Sequence, residues 1–241
     1  MIRQCKFSDS VKFFKDDFFK MWDLKEYTNV NESSIFFGCY STLDVQIINA
    51  HKGKKIVFLV GADVPNLHRI EKYNVTFASD KQNILDFFKE KNVPYIDKII
   101  SVKDYSNFNP TEKGSKIYVY KANSHTYEKF KLALLEPAIK YFGEDMFLFG
   151  VHGNTMQQMI DNYYKPSFIN IQLNPLHGFA TACEMAYMGR KSISNNPAPF
   201  ALHFKTPNDI IELIKKEINN KEMFKFENYL YTKNDWLWQL D

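Results

Sequence analysis

The sequence has few cysteines, no long apolar run and no strong excess of charge. Its three cysteines, Cys5, Cys39 and Cys183, are far apart and odd in number. They match no zinc-binding pattern and are typical of thiols in a reducing compartment. No stretch approaches the roughly 18 consecutive apolar residues of a membrane-spanning helix. Charges interrupt residues 1–25, which therefore do not resemble a signal peptide. We expect a soluble, cytoplasmic protein without a transmembrane segment.

Several functional classes lack their signatures in this chain. The net charge is only +3, from 31 basic and 28 acidic side chains. The basic residues are scattered, whereas nucleic-acid binding needs a concentrated basic face, so we expect no nucleic-acid partner. No Gly-x-Gly-x-x-Gly follows a predicted strand, which weighs against a dinucleotide dehydrogenase. The Walker lysine motif and the Gly-x-Ser-x-Gly elbow of many hydrolases are also missing.

Short apolar segments alternate with amphipathic segments along most of the chain. Apolar strands separated by helices predict an α/β protein with parallel sheets covered on both faces. A polar stretch, residues 103–115, lacks periodicity and predicts a linker between two small Rossmann-like halves. The predicted strands are 35–37, 55–60, 74–78, 95–102, 116–120, 146–151, 168–173 and 191–194. The predicted helices are 42–51, 66–73, 80–91, 128–141, 155–164, 180–188 and 207–219, and residues 11–22 also have helical spacing.

The predicted organisation has three parts. Residues 1–106 form an N-terminal Rossmann-like domain, and residues 112–222 form a second one. Residues 223–241 are an aromatic tail with Trp236 and Trp238. We predict that this tail packs as a final helix on the N-terminal domain, and an exposed partner-binding tail is the alternative.

The most informative segment is 174–194. It follows the predicted strand 168–173 and turns through His177 and Gly178 into a helix that carries Glu184. Backbone amides at a helix N-terminus after a glycine turn bind phosphate. An ionised carboxylate one to two turns further can accept hydrogen bonds from a ribose hydroxyl pair. Phosphate and ribose together predict a nucleotide.

The run from His177 to Gly189 resembles the donor-nucleotide motif of GT-B glycosyltransferases, especially family 4. The family pattern is Glu-Gly-Phe-Gly, a few small residues, then Glu-Ala-Met-Ala-x-Gly. The resemblance covers about residues 112–220, and the compact chain is also similar to the small glycosyltransferases encoded by chlorella viruses. One departure is His177, which replaces the first glutamate of the pattern, the carboxylate that lies near the donor sugar in the family. The matching residues are Gly178, Phe179, Glu184, Ala186 and Gly189.

The resemblance implies two Rossmann-like domains facing each other across a cleft. It implies transfer of a sugar from a UDP- or GDP-sugar to a glycan or glycoprotein acceptor, with retention of configuration. It further implies that no cofactor is required and that the nucleotide-diphosphate sugar is the donor substrate. No Asp-x-Asp triplet occurs, which argues against the metal-dependent GT-A class, so we expect no metal site. If the chain is virus-encoded, the location is the host cytoplasm and the role is viral glycosylation.

The resemblance also assigns candidate site residues. Lys121 would pair with the donor phosphates, and the loop after the strand 146–151 would frame the base. From its place after the strongest predicted strand, 55–60, and not from the resemblance, Asp63 would orient an acceptor hydroxyl, or only cap the helix after Pro65. The candidate catalytic residues are His177 and Asp63. The candidate donor-binding residues are Gly38, Lys121, Asn123, His152, Gly153, Gly178, Phe179, Ala180, Thr181 and Glu184.

Each assignment has a plainer structural alternative. Lys121 could be a surface lysine, His152 a loop residue, His177 a packed turn residue and Glu184 a solvent-facing helix acid. Two other functions also stay open. A nucleotide-sugar epimerase of the same fold would need acid and base residues on the sugar, for which Asp63 and His177 are the candidates. A non-catalytic nucleotide- or glycan-binding module is the third possibility.

Overall fold

The computed structural model describes residues 4–105, 108–122, 132–151, 153–173, 179–195, 198 and 200–226, and only the backbone of residues 121, 122 and 151. The chain divides after Asp104 into two compact units. We call the first unit 1 and the second, which begins at Tyr105, unit 2.

Unit 1 is built on a six-stranded parallel sheet. Its strands stand in the order β2-β1-β3-β4-β5-β6, and neighbouring strands pair in parallel throughout. The strands are β1 (Gln4–Phe7), β2 (Lys25–Glu26), β3 (Ser34–Phe37), β4 (Lys55–Phe58), β5 (Val75–Ser79) and β6 (Tyr95–Ile99). The helices are α1 (Lys15–Trp22), α2 (Thr42–Ala50) and α3 (Gln82–Glu90), with 3₁₀ turns at Asp9–Phe14 and Val64–Arg69.

Aromatic packing forms much of the core of unit 1. The rings of Phe7, Phe37 and Phe58, from three adjacent strands, stack with centroids 4.4 Å and 4.7 Å apart. Phe18 of α1 meets the Phe37 ring edge-on at 4.8 Å. Each ring is buried, and edge-to-face or offset stacking adds to the hydrophobic gain of burying them. Helix α1 is therefore fixed over the middle of the sheet.

Unit 2 is built on a five-stranded parallel sheet in the order β11-β10-β9-β7-β8. Its strands are β7 (Lys116–Ala122), β8 (Phe147–Val151), β9 (Ser167–Gln172), β10 (Ser192–Ser194) and β11 (Ala201–His203). Its helices are α4 (Glu136–Phe142), α5 (Met156–Met159), α6 (Phe179–Tyr187) and α7 (Pro207–Ile218). A π-helix at Ile160–Tyr164 continues α5, and 3₁₀ turns lie at Leu132–Leu135 and Glu144–Met146.

Both sheets follow the same strand order. In each unit the second strand lies on one side of the first, and the remaining strands extend on the other side. Strand order therefore reverses between β1 and β3 in unit 1, and between β7 and β9 in unit 2. Ligands of open α/β sheets bind outside the carboxyl ends of the strands at this switch point. The predicted class, an α/β protein with two Rossmann-like domains, is confirmed.

Several predicted elements differ from the structure. Strands β1, β2 and β11 were absent from the predicted set, and β7 runs two residues further, through Ala122. The predicted helix 66–73 is instead a 3₁₀ turn at Val64–Arg69, with Pro65 near its start. In the predicted helix 128–141, the described part is a 3₁₀ turn followed by α4. Pro137 stands in the first turn of α4, because proline lacks the N–H that a helix interior needs.

Within the described ranges, no helix is both long and apolar enough to cross a membrane. The predicted aromatic tail falls mostly outside the described residues. Its described beginning includes Phe226, whose ring packs against Tyr187 at 4.6 Å and Phe200 at 5.6 Å. These contacts lie within unit 2.

Candidate functional site

The switch point of unit 2 lies between β7 and β9. Strand β7 ends at Ala122, β9 ends at Gln172, and the two are direct neighbours. The register of β7 against β8 shifts between Tyr120 and Ala122. Lys121 therefore lies at an irregularity inside the end of β7, not just past it. The candidates Asn123, His152, His177 and Gly178 lie outside the described residues.

Helix α6 is the next described element after β9. Its first residue, Phe179, is buried and its ring contacts Phe200 at 5.8 Å. Ala180 and Thr181 are half-buried in the same turn. The first amides of a helix have no partner within it and carry partial positive charge. The backbone of Phe179, Ala180 and Thr181 thus offers donors at the carboxyl edge of the sheet.

Glu184 lies inside unit 2 and not on its surface. Its side chain is only 4% exposed, which rules out the solvent-facing alternative. The Tyr164 hydroxyl, from the end of the π-helix, donates a hydrogen bond to Glu184 Oε2. Thr181, one turn before Glu184, also hydrogen-bonds with Tyr164. The π-helix that ends at Tyr164 therefore holds the Glu184 carboxylate in place.

Two tyrosines of β7 share the surroundings of Glu184. Burial raises the pKa of both Tyr118 and Tyr120, and the nearby charge of Glu184 raises it further. The rings of Tyr118 and Tyr164 meet edge-on at 5.3 Å. Among the described residues the Tyr118 hydroxyl has no hydrogen-bond partner. A Cβ on Gly150 would lie 2.5 Å from it, so the glycine provides the space for this hydroxyl.

Sequence reasoning missed these tyrosines. Their signal was their spacing, because residues two apart on a strand share one face of the sheet. Tyr118 and Tyr120 immediately precede the candidate Lys121. The sequence pattern predicts only a strand over residues 116–120.

A polar stripe runs along β9 and β10 toward the same edge of the sheet. Asn170 stands opposite Ser192, and Gln172 stands opposite Ser194. All four side chains are buried, and Asn170 Nδ2 donates to Ser192 Oγ at 3.0 Å. Buried polar groups of this kind are costly unless they are paired. Their presence distinguishes this face of the sheet from the apolar faces predicted for parallel strands.

Asp63 of unit 1 binds backbone amides and not a helix end. Its Oδ1 accepts from the amides of Val60 at 3.0 Å and Gly61 at 2.9 Å, and its Oδ2 accepts from Cys39 at 3.1 Å. It stands at the N-cap position of the following 3₁₀ turn without making a side-chain cap hydrogen bond. The carboxylate joins the chain ends that leave β3 and β4. Burial raises its pKa, and these amides oppose the shift.

The two described glycine candidates both have left-handed backbones. Gly38, after β3, has φ +83°, and an added Cβ would lie 2.9 Å from Val11 Cγ2. Gly153, after β8, has φ +97° with open space around the Cβ position. Both turns need glycine for backbone reasons, which is independent of a ligand approach.

Arg190 is a structural residue that sequence reasoning also missed. It is fully buried and donates to five backbone carbonyls, those of Thr111, Glu112, Lys165, Ser167 and Met188. Desolvation lowers its pKa to about 10. The guanidinium fixes the chain entering β7 to the start of β9 and the end of α6. It therefore stabilises the framework of the candidate site.

No group of three or more His, Cys, Asp or Glu side chains within the described ranges could hold a metal ion.

No protein-family model and no curated protein matches this chain. Among solved structures, an α1,3-fucosyltransferase aligns with a TM-score of 0.49 at 12% identity, over 96% of this chain and 85% of its own. A glycosylation-associated protein complex from Streptococcus agalactiae aligns with a TM-score of 0.44 at 12% identity, over 80% of this chain. This chain spans about half, 49%, of that streptococcal chain. At these TM-scores neither neighbour assigns an activity here.

Proposed function

We propose that this chain is a glycosyltransferase in which unit 2 binds a UDP- or GDP-sugar and unit 1 binds a glycan or glycoprotein acceptor. The observation that supports it most is the placement of α6. The helix starts beside the switch point between β7 and β9 and holds a buried carboxylate, Glu184, about one and a half turns inside. Open α/β sheets bind ligands at this edge, which supports a donor site at the motif that resembles family 4.

The phosphate half of the donor site would be the start of α6. The amides of Phe179, Ala180 and Thr181 would donate to the diphosphate, because the positive end of the helix dipole stabilises the leaving group without a metal. Lys121, in the irregular end of β7, would add a positive charge. His177 and Gly178 would form the turn before the helix.

The ribose half would be Glu184. Its carboxylate would accept a hydrogen bond from a ribose hydroxyl beside the one that the Tyr164 hydroxyl donates. Tyr164 would orient the Glu184 carboxylate and so restrict the rotamers of that side chain before the nucleotide binds. His152 and Gly153, after β8, would frame the base, with Asn123 adding a donor contact.

The transfer itself would follow the family that the motif resembles. The GT-B arrangement, retention of configuration and the departing phosphate as the base are part of the proposal. The family's first glutamate is His177 here, so the contact to the donor sugar would come from an imidazole. The viral origin and the cytoplasmic location stay predictions of the sequence.

A thermal-shift panel of UDP- and GDP-sugars tests the donor site. A ligand at about 100 times its dissociation constant should raise the unfolding midpoint by about 5 °C or more. Glu184→Gln should lose most of this shift, whereas Glu212→Gln, an exposed carboxylate of α7, should keep it. The absence of a shift with every UDP- and GDP-sugar would overturn the proposal.

A non-catalytic nucleotide-binding module is the second candidate, and the replacement of the family's glutamate by His177 favours it. Nucleoside diphosphate release separates the two functions. A transferase should release UDP or GDP from the donor that gives the largest thermal shift, at least slowly with water as acceptor. Binding without release, over a panel of acceptor sugars, favours the module, and an epimeric sugar from donor alone favours an epimerase.

A further inference from the structure

The carboxyl edge of the unit 1 sheet gathers a polar cluster from three adjacent strands. We call Tyr40, Asp63, Asp80 and Lys81 the edge cluster. Tyr40 follows β3, Asp63 follows β4, and Asp80 and Lys81 follow β5. Lys81 Nζ donates to the Val60 carbonyl. Together with the Asp63 contacts to Cys39, Val60 and Gly61, this fixes the three chain ends to one another.

Asp80 differs from the rest of the edge cluster. Its side chain is 6% exposed, and its Oδ1 has no hydrogen-bond partner among the described residues. Asp63, by contrast, has amide partners on both oxygens. An unsatisfied buried acceptor costs free energy, and native proteins retain few of them. Asp80 is therefore the carboxylate of this edge that still has capacity to accept a hydrogen bond.

The charges around Asp80 define what it can bind. Burial raises the pKa of Asp80 to about 6, with Asp63 raising it further and Lys81 opposing the shift. Burial raises the pKa of the Tyr40 hydroxyl, and the charges of Asp63 and Asp80 raise it further. Two carboxylates disfavour an anionic ligand. A neutral hydroxyl donor fits this environment.

We propose that Asp80 accepts a hydrogen bond from a hydroxyl of the sugar acceptor, and that Asp63 is a positioning residue that holds the loops of this site. The inference rests on the proposed transferase function and names the acceptor-side carboxylate within it. Asp80 therefore takes the acceptor-orienting role that the sequence predicts for Asp63.

The test uses the full chain and a panel of sugar probes, the p-nitrophenyl α- and β-glycosides of glucose, galactose, mannose and N-acetylglucosamine. Saturation-transfer NMR measures glycoside binding without donor, and transfer kinetics at saturating donor give the acceptor KM. The variants are Asp80→Asn, Asp80→Glu and the control Asp86→Asn, an exposed carboxylate of α3. The donor-induced thermal shift is recorded for each.

Losing a charge-assisted hydrogen bond should weaken glycoside binding and raise the acceptor KM of Asp80→Asn by between about 10-fold and 100-fold. Asp80→Glu should recover part of the loss, and Asp86→Asn should match the wild type. The donor-induced thermal shift should be equal in all of these variants. A variant with a structural defect would lose that shift as well.

Three results would overturn the inference. They are an unchanged acceptor KM in Asp80→Asn, an equal loss of donor and glycoside binding in that variant, and a wild type that shifts with donor but binds no glycoside. A wild type that shifts with no donor overturns the proposed function instead.

Discussion

The Tyr164 hydroxyl donates a hydrogen bond to the Glu184 carboxylate in the interior of unit 2. Tyr164 ends the π-helix before β9, and Glu184 lies in the helix after it, so the bond joins the two segments that flank the central strand. Thr181, in the first turn of α6, hydrogen-bonds with the same tyrosine. The candidate ribose ligand and the start of the candidate phosphate helix are thereby held by one side chain.

Tyr164→Phe should destabilise the protein by about 1–3 kcal/mol, because it removes the donor and leaves a buried carboxylate less satisfied. The free energy of unfolding in urea measures this. Tyr163→Phe, at the neighbouring position and only half-buried, is the control and should change stability little. Equal stability of Tyr164→Phe and the wild type would mean that the bond does not hold Glu184.

Arg190→Lys should destabilise the protein by about 2–4 kcal/mol. A lysine ammonium has three donors and no planar fork, so it cannot reach the five carbonyls that the guanidinium serves. Arg69→Lys is the matched control, since Arg69 is exposed, and should stay within about 0.5 kcal/mol. Similar urea midpoints for the two variants would contradict a structural role for Arg190.

Gly38→Ala and Gly153→Ala form a pair that separates backbone strain from side-chain collision. Both glycines have positive φ, but only at Gly38 would the new Cβ meet a neighbour, Val11 Cγ2, at 2.9 Å. Gly153→Ala should cost about 1–2 kcal/mol for the left-handed backbone, and Gly38→Ala should cost more. Thermal unfolding of the two variants checks the order, and the reverse order would refute this packing around Gly38.

Asp80→Asn should change how stability depends on pH. The Asp80 pKa is about 6 in the folded chain against an ordinary 3.8, so the folded state holds this proton more tightly than the unfolded state. The wild-type free energy of unfolding should therefore fall as pH rises from about 4 to about 6. Above about pH 6, Asp80 should cause no further change. At roughly 1.4 kcal/mol per pKa unit, the loss is about 3 kcal/mol.

The asparagine variant lacks this titration, so it should gain on the wild type over the same pH range. Urea unfolding of both proteins at pH 4 and pH 7 measures the difference. A difference that does not change with pH would show that Asp80 titrates normally.

The alternation of apolar strands and helices predicted the class and most elements, because those strands are buried on both faces. Strand β1 escaped prediction since its residues, Gln4 to Phe7, are half polar. Gln4 is nevertheless fully buried. Its amide donates to the Asn29 carbonyl and Ser34 Oγ, and accepts from the amides of Thr28 and Asn29. Such tertiary partners cannot be read from a local pattern.

The residues of the candidate site also fall into those that a local sequence pattern predicts and those that only tertiary contacts define. The motif around Glu184 was visible because glycine turn, helix and carboxylate follow one another along the chain. The roles of Arg190 and Asp80 could not be predicted, because the groups around them come from segments that are distant in the sequence. Asp63 was assigned to the acceptor from its place after the strongest predicted strand. The structure places its carboxylate on backbone amides of two loops, and Asp80 emerges only from the adjacency of β4 and β5.

Titration calorimetry of UDP and GDP against the wild type and Glu184→Gln tests the nucleotide site most directly. One of the two nucleotides should bind the wild type, and Glu184→Gln should bind it between about 10-fold and 100-fold more weakly, because the ribose loses a charge-assisted acceptor. Equal affinity of the two proteins, or no binding of either nucleotide to the wild type, would contradict the account.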